Sequence, residues 1–582
     1  MCLQFYDLEV FKYNWLVVII DPFEKTTTVI SDDKNKLSDY YELHKNDVWV
    51  GYNSRSYDQY IFKAILLDMN PKEVNDFIII DGRKGWEYSS LFNSIPLYNY
   101  DCMPKGNSLK QLEAYMSNDI QETSVPFDID RPLTDAEIKE TVKYCTHDVE
   151  QTMQVFLRTK ETFEAHLGML KAFNMPINYI SKTQAQLSAK ALECTPHDYF
   201  DEWNISIIDT LRIKKYKHVV NWFRDPDNHN YEKNLITEVC GVPHIFGWGG
   251  LHGAIGKITY NRNGAPSIKN IPVHRKGLII HVDVTSFYPS IMIRYDLLSR
   301  SVKDKSAYEK MYDTRVALKK AGKKAEQAPY KIILNSTYGI CKDPTSAAYD
   351  PRRANEVCIN GQLLLLDLLE HLEGHCEVIQ SNTDGLIIQI PDTDEAFNDV
   401  DDICYEWEHR TGMSLGFDII NEIWQGDVNN YIFRFEDGKL ERKGAYVKEL
   451  SSLDNDLAIV NTAIVKYLTE GVPVETTVND CDDLSQFQKV VKVSSKYLYG
   501  YHNGKKLQGK TFRVFASRNK SDGFIGKVKI KKGVESIEKF ANTPEHCFIR
   551  NGDIKGQNVP FVLDKRYYID LAKERVKNKF CL

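Results

Sequence analysis

Apolar positions in the first 165 residues come in short runs that end at turn-forming residues. Trp15 to Asp21 and Thr26 to Ser31 predict two strands joined by a turn, Asp47 to Asn53 a third, and Leu97 to Cys102, just after Pro96, a fourth. Thr134 offers an N-cap for a helix over Asp135 to Arg158 that is acidic in its first turn. Residues 166 to 245 read as mostly helical, and the Gly-dense run Phe246 to Gly256 predicts a junction where backbone approaches a neighbour closely. A buried strand follows over Leu278 to Val284. Residues 301 to 340, rich in Lys and Ala, predict a short helical hairpin interrupted at Gly322 and Pro329. Glu377 to Ile390 reads as strand, turn, strand, with Asn382, Thr383, Asp384 and Gly385 in the turn.

With 582 residues the chain has the length of about three to five domains. Charged residues at 27% and hydrophobic residues at 42% exclude a disordered chain, and no apolar run approaches the roughly 18 residues of a membrane span. Trp15 to Ile20 is too short for a signal peptide and lacks a basic flank. The twelve cysteines include no C-x-x-C pair, which argues against a zinc ribbon or disulfide framework and for a reducing compartment. Net charge is −7, but Lys489 to Lys532 holds thirteen Lys and Arg against one acid, Asp522; this stretch is +12 and leaves −19 for the rest. Tyr497, Tyr499, Tyr501, Phe512, Phe515 and Phe524 are interleaved with those cations, the composition of a surface that tracks phosphates and packs on bases.

Two sets of acids point to metal chemistry. Asp7 and Glu9 at i and i+2 share one face of a strand, and Asp58 and Asp148 are candidates to complete a four-carboxylate cluster, with Tyr144 one helical turn before Asp148. Hard oxygen ligands of this kind suit Mg²⁺ or Mn²⁺. Each acid alone is an ordinary surface residue; spacing does not bring them together. In the second set, Asp283 ends an apolar strand and Asp384 occupies a turn between apolar strands, where an acid is expensive unless paired or metal-bound. Between them Lys331, Asn335, Tyr338 and Gly339 form a polar, aromatic helical stripe suited to a flat ligand with phosphates. Arg315 and Lys319 are one helical turn apart in the same hairpin, and with Lys331 they would match a triphosphate.

These residues resemble the family B DNA polymerases. Asp283-Val-Thr-Ser286-Phe287-Tyr288-Pro289-Ser290 is similar to the first palm motif, Lys331 to Gly339 to the fingers motif, Asn382-Thr383-Asp384-Gly385 to the Asp-Thr-Asp-Ser hairpin, and Arg442-Lys443-Gly-Ala-Tyr446 to the motif that holds the primer end. Asp7 with Glu9, Asn53 with Asp58, and Tyr144 with Asp148 resemble the three exonuclease motifs, and Ser108-Leu109-Lys110-Gln111-Leu112 resembles an element that holds single-stranded DNA. The order is the family's, from Asp7 to Tyr446. Asn382 and Gly385 depart from the pattern, and the intervals of 48 residues from Asp283 to Lys331 and 53 from Lys331 to Asp384 are short for it.

The resemblance implies an α/β and α+β multidomain fold, an RNase H-like exonuclease followed by a polymerase right hand. Its expected parts are exonuclease 1–165, helical connection and start of palm 166–275, palm 276–300 and 341–450, short fingers 301–340, and thumb with a C-terminal DNA-binding region 451–582. It also implies roles. Asp283, the Val284 carbonyl and Asp384 would hold two Mg²⁺, and Ser286, Phe287, Tyr288, Arg315, Lys319, Lys331, Asn335 and Tyr338 would bind the nucleotide, with Tyr288 excluding a 2′-hydroxyl. Asp7, Glu9, Asp58 and Asp148 would hold the exonuclease metals, with Tyr144 orienting water. Asn53, Ser108, Leu109, Lys443, Tyr446, Lys505, Lys506 and Lys510 would contact DNA. The partners are then primer-template DNA, deoxynucleotides and accessory proteins, with no membrane, in the cytoplasm of a bacterium hosting a phage or mobile element. Protein-primed or primer-independent synthesis by the same family is the alternative within enzymes. A weakened polymerase fold that only binds DNA, or an exonuclease with a vestigial polymerase, are the others.

Overall fold

The computed structural model describes residues 2–580, so Cys581 lies outside the described residues. It is a mixed α/β, multidomain fold in two compact units. The first comprises Met1–Lys182, Leu450–Val460 and Glu475–Asp570, the second Thr183–Glu449, Asn461–Val474 and Leu571–Leu582. No helix among the described residues is long and apolar enough to cross a membrane.

In the first unit a five-stranded sheet runs, edge to edge, Thr26–Ser31, Trp15–Asp21, Leu3–Val10, Val48–Gly51, Tyr98–Asp101. The first three strands are antiparallel, and the last two join parallel to Leu3–Val10. The predicted strands are present, the third and fourth shorter by a few residues. Leu3–Val10 alternates between two buried faces: Tyr6, Leu8 and Val10 enter a core with Trp49, Phe62 and Leu37, while Phe5 packs edge-on against Phe156 of the helix Asp135–Arg158. That helix starts as predicted, with Thr134 and Glu137 in a reciprocal capping box.

The C-terminal part of this unit has a three-stranded sheet, Lys489–Lys492, Thr511–Ala516 and Cys547–Ile549, and a four-stranded one containing Tyr499–His502 and Gly526–Lys531. Its structure corrects part of the sequence reading. Phe512 and Phe515 are core residues, 2% and 0% exposed, because Thr511–Ala516 is buried on both faces. Arg513 is buried too. Its guanidinium donates to Gln488 Oε1 and to the carbonyls of Arg550, Gly552, Ala114 and Asn118, and burial without a carboxylate partner pushes its pKa down to about 10. Lys527 and Lys529 pair with Glu538, and Lys489 with Asp456. Lys505, Lys506 and Lys510 are exposed.

The second unit is built on a nine-stranded antiparallel sheet in the order Leu440–Lys443, Asn430–Phe435, Leu415–Asp427, Val273–Val284, Gly385–Gln389, Glu377–Ser381, His252–Ala254, Val242–Gly247, Asn234–Val239. The central strand begins five residues earlier than Leu278, through an irregularity at Gly277 (φ 118°). The helical hairpin is Lys305–Lys320 and Lys324–Lys342, turning at Gly322 (φ 70°). Pro329 does not interrupt it: the ring is buried and lies in the second turn, so the helix loses one backbone bond near its end.

Residues 166–245 are less helical than predicted. Asn234–Val239 and Val242–Gly247 form a hairpin whose turn places Cys240 at φ 50°, a residue that gives no turn signal in the sequence. Residues 201–216 contain no helix or strand and lie along the buried helix Pro351–Leu372. That helix feeds their backbone: Glu356, Asn360, Asp367 and Glu370 accept from the N–H groups of Ser206, Ile208, Arg212 and Lys214 at 2.6 to 3.0 Å. Those acceptors recur at helical spacing, so one stripe satisfies an irregular segment that would otherwise bury unpaired donors.

Candidate functional site

In the second unit the pairing of Val273–Val284 with Gly385–Gln389 sets Asp283 opposite Gly385, and the Val284 N–H donates to the Asp384 carbonyl at 2.8 Å. The two acids are thus brought together at the ends of neighbouring strands. Burial, then the Asp384 carboxylate, raises the pKa of Asp283 above its ordinary value, and Lys319 opposes that rise. Gly385 has a steric cause. A Cβ there would stand 2.7 Å from the Val282 carbonyl oxygen, so the hairpin excludes a larger residue unless its backbone moves. Asn382 bonds the His252 side chain, and a Cβ on Gly250 would stand 2.8 Å from Thr383 Oγ1. The Gly-dense run is therefore where backbone approaches this turn.

A cavity of about 460 Å³ opens beside these acids, lined by Asp283, Val284, Ser286, Phe287, Tyr288, Arg315, Asn335, Tyr338 and Asp384 among others. Ser286 takes a left-handed conformation (φ 49°, ψ 49°) immediately before the helix Phe287–Arg294, and its Oγ accepts from Arg315 Nη1 at 2.7 Å. Arg315 Nε has no partner, no carboxylate pairs with the guanidinium among the described residues, and burial lowers its pKa. The Tyr288 and Tyr338 rings lie 4.7 Å apart, and Tyr288 bonds Cys358 on the helix behind. Gly361 of that helix leaves the room Phe287 and Tyr288 occupy. Lys319 lines an adjoining pocket of about 280 Å³ with Ser286 and Arg315. Lys331 is exposed and outside both linings. Lys443 lies over the Tyr431 ring. Tyr446 is covered by Arg575 and Lys579, cations whose distance in sequence hid the contact.

In the first unit Asp7 and Glu9 project toward Cys145 on the helix Asp135–Arg158, with ligand atoms of the three within 4.8 Å of one another. Asp58 starts the helix Asp58–Leu66 and is 3% exposed. Burial, followed by repulsion from Asp148, pushes Asp7 up to about 7; burial and Asp7 raise both Glu9 and Asp58; burial pushes Asp148 to about 6 against the pull of Lys110. Four acids that spacing could not connect thus act on one another. The Tyr144 hydroxyl is held neutral by burial and by the charge of Asp148. Ser108 and Gln111 cap the helix Leu109–Tyr115, and Asn53 (φ 60°) donates its N–H to Asp101 at 3.0 Å.

The residue sequence reasoning missed is Lys110. Its ammonium pairs with Asp148, bonds Glu113 at 3.1 Å and lies 4.6 Å from the centre of the Tyr144 ring. Burial opposes its charge, but Asp148 and Glu113 outweigh burial and raise its pKa. Glu113, His147 and Asp148 form a second close set, with Glu113 Oε2 and His147 Nε2 buried without hydrogen bonds. Its place in the Ser108 to Leu112 element pointed to DNA, and the acid three residues after it was too common to point to the acids. Lys110→Ala removes the lysine partner of Asp148 and leaves Glu113 only His147 Nε2 at 3.5 Å, and is expected to destabilise metal-free protein by about 3 to 5 kcal/mol. Thermal unfolding in chelator and in Mn²⁺ checks this, with Mn²⁺ recovering most of the loss.

No family model matches the chain. It is similar to DNA polymerase 1 of Saccharolobus solfataricus, 23% identical over 229 residues, or 38% of this chain; the match spans 22% of that relative's length. Among solved structures it aligns with the family B DNA polymerase of the hyperthermophilic archaeon Pyrobaculum calidifontis at a TM-score of 0.42 and 15% identity, over all of this chain and 78% of that one. The sequence match thus relates 229 residues of this chain to a DNA polymerase, and the motifs from Asp7 to Tyr446 stand in the order in which they resemble family B.

Proposed function

We propose that the chain is a template-directed DNA polymerase with a 3′–5′ proofreading exonuclease. The observation that carries the reading is the cavity beside Asp283 and Asp384, where Arg315 is half-buried with no acid partner among the described residues. A guanidinium desolvated in that way calls for an anion, and the paired acids opposite call for a divalent cation; a nucleoside triphosphate with its metal supplies both.

The residues fit Mg²⁺, since Asp283 and Asp384 offer hard oxygens at adjacent strand ends and repel each other without a cation. When bound, Mg²⁺ would acidify the primer 3′-hydroxyl and neutralise charge on the triphosphate. Arg315 and Lys319 hold the phosphates, and Tyr288, fixed by Cys358 and Tyr338, forms the floor under the sugar. Asn335 and Tyr338 read the shape of the nascent pair. In the other unit, read as an RNase H-like exonuclease, Asp7, Glu9, Asp58 and Asp148 are the metal-ligating set and Tyr144 orients the attacking water. A mismatch costs about 1 to 3 kcal/mol, roughly 5 to 150-fold, so accuracy gains from this second site. Lys505, Lys506 and Lys510 are assigned to DNA backbone contacts. The short intervals between motifs favour a phage or mobile element as the source.

The test is extension of a labelled primer on single-stranded template with deoxynucleotides and Mg²⁺, with and without the primer. Primer-dependent, template-directed products are expected. Products of equal yield without primer would point to primer-independent initiation, and none in either lane would overturn the reading.

A further inference from the structure

Between the Gly-dense run and Asp283, residues 256–276 hold Lys257, Arg262, Lys269, Arg275 and Lys276 and no acid. Gly256–Tyr260 and Pro266–Asn270 form an antiparallel ribbon that is a sheet of its own. Arg275 pairs with Glu377 and Lys276 with Glu422, but Lys257, Arg262 and Lys269 pair with no acid among the described residues. Residues 259–267 are all exposed, Tyr260 at 70%.

The register places Lys257 directly opposite Lys269 and Thr259 opposite Ser267, four side chains on one face. Like charges facing each other across a strand pair destabilise it. A bound polyanion reverses the sign of that term, and the two hydroxyls, 2.9 Å apart, continue the row with donors suited to phosphate oxygens. The tip is built to hold its shape. Asn261 Oδ1 accepts from the N–H groups of Asn263 and Ala265 at 2.9 Å, and Gly264 supplies φ 77°. The base joins the sheet through Ile255 N–H to the Ile379 carbonyl, on the strand that leads into the turn of Asp384.

We infer that this ribbon docks the phosphate backbone of duplex DNA, with Lys257, Lys269, Thr259 and Ser267 along the phosphates and Arg262 at the tip. A two-stranded ribbon has the width a B-DNA groove admits. Duplex is the occupant because the basic face has no aromatic ring on which an unpaired base would stack; Tyr260 falls on the opposite face with Ile258 and Ile268. The identity of the nucleic acid rests on the polymerase reading, whereas the charge row does not.

The experiment is a fluorescence-anisotropy titration of labelled primer-template duplex, and of single strand, against the full chain without metal over a series of salt concentrations. For the Lys257→Ala, Arg262→Ala, Lys269→Ala triple variant the log K against log [salt] slope should fall by about 2 to 3, at about 0.9 per lost phosphate contact. Duplex affinity in low salt should drop at least about tenfold, single-strand affinity less than about twofold, and the melting temperature should hold or rise as the lysine repulsion is removed. Lys257→Arg with Lys269→Arg should keep the wild-type slope. An unchanged slope in the triple variant, or an equal loss for single strand and duplex, overturns the assignment. Ribbon-dependent duplex binding by a chain that extends no primer would leave the ribbon standing and remove the polymerase reading.

Discussion

Asp384→Ala is expected to reduce nucleotide incorporation by about a thousandfold or more while leaving 3′ trimming of single strands intact. A divalent ion at developing phosphoryl charge is worth several kcal/mol, and each ~1.4 kcal/mol is a decade in rate. Asp384 is the exposed member of the pair, so the loss should not be one of folding. Asp283 is held against Gly385 and Gly416 in the centre of the sheet, and Asp384 carries its side chain at the mouth of the cavity. Single-turnover extension of a primed template, with circular dichroism to confirm the fold, is the measurement. Incorporation within tenfold of wild type would remove Asp384 from the mechanism and transfer weight to Asn382, which bonds His252.

The second large effect is a gain as well as a loss. Asp7→Ala with Glu9→Ala should abolish 3′ trimming, leave synthesis intact, and raise the melting temperature of metal-free protein by several degrees, since each kcal/mol is worth about 2 to 4 °C in a unit of this size. The cause is burial, which raises the pKa of all four acids, with repulsion from Asp148 added at Asp7 and Glu9 and from Asp7 at Glu9 and Asp58. The sign in pH follows. Asp7, near 7, and Asp148, near 6, bind more protons folded than unfolded between about pH 4 and those values, so stability falls as pH rises through that window. The metal-free wild type should therefore be more stable at pH 5.5 than at pH 8. The double variant should show a weaker dependence and added Mg²⁺ should flatten it. A double variant no more stable than wild type would mean the four acids do not share one field.

Much of the architecture was legible because local signals and burial agreed. The strands Trp15–Asp21 and Thr26–Ser31 and the helix capped by Thr134 fall where turn residues and a capping box place them. The segment 201–216 was not legible, because what holds it is a stripe of acceptors some 150 residues later on Pro351–Leu372. Spacing named the acids of both sites but not their company. Lys110 meets Asp148 across 38 residues, and Arg315 meets Ser286 across 29. Arg513 misled through its type: a charged residue in a basic stretch reads as surface, yet five acceptors distributed over the first unit receive its donors. Phe512 and Phe515 misled in the same way, their alternation with cations hiding a strand buried on both sides.

Arg513 also bears on how the chain reaches this state during synthesis. The carbonyls of Ala114 and Asn118 that it bonds emerge from a ribosome almost 400 residues before it does, and Val490 completes a small cluster with Ala114 and Ile120. At about 5 to 20 residues per second the helix that carries Lys110 waits roughly 20 to 80 seconds for the strand that closes its far side. Until then its carbonyls and the apolar ends of Ala114 and Ile120 face solvent or a chaperone. The far side of the helix that carries Lys110 is in this sense closed late in translation, by a residue almost 400 positions further along the polypeptide.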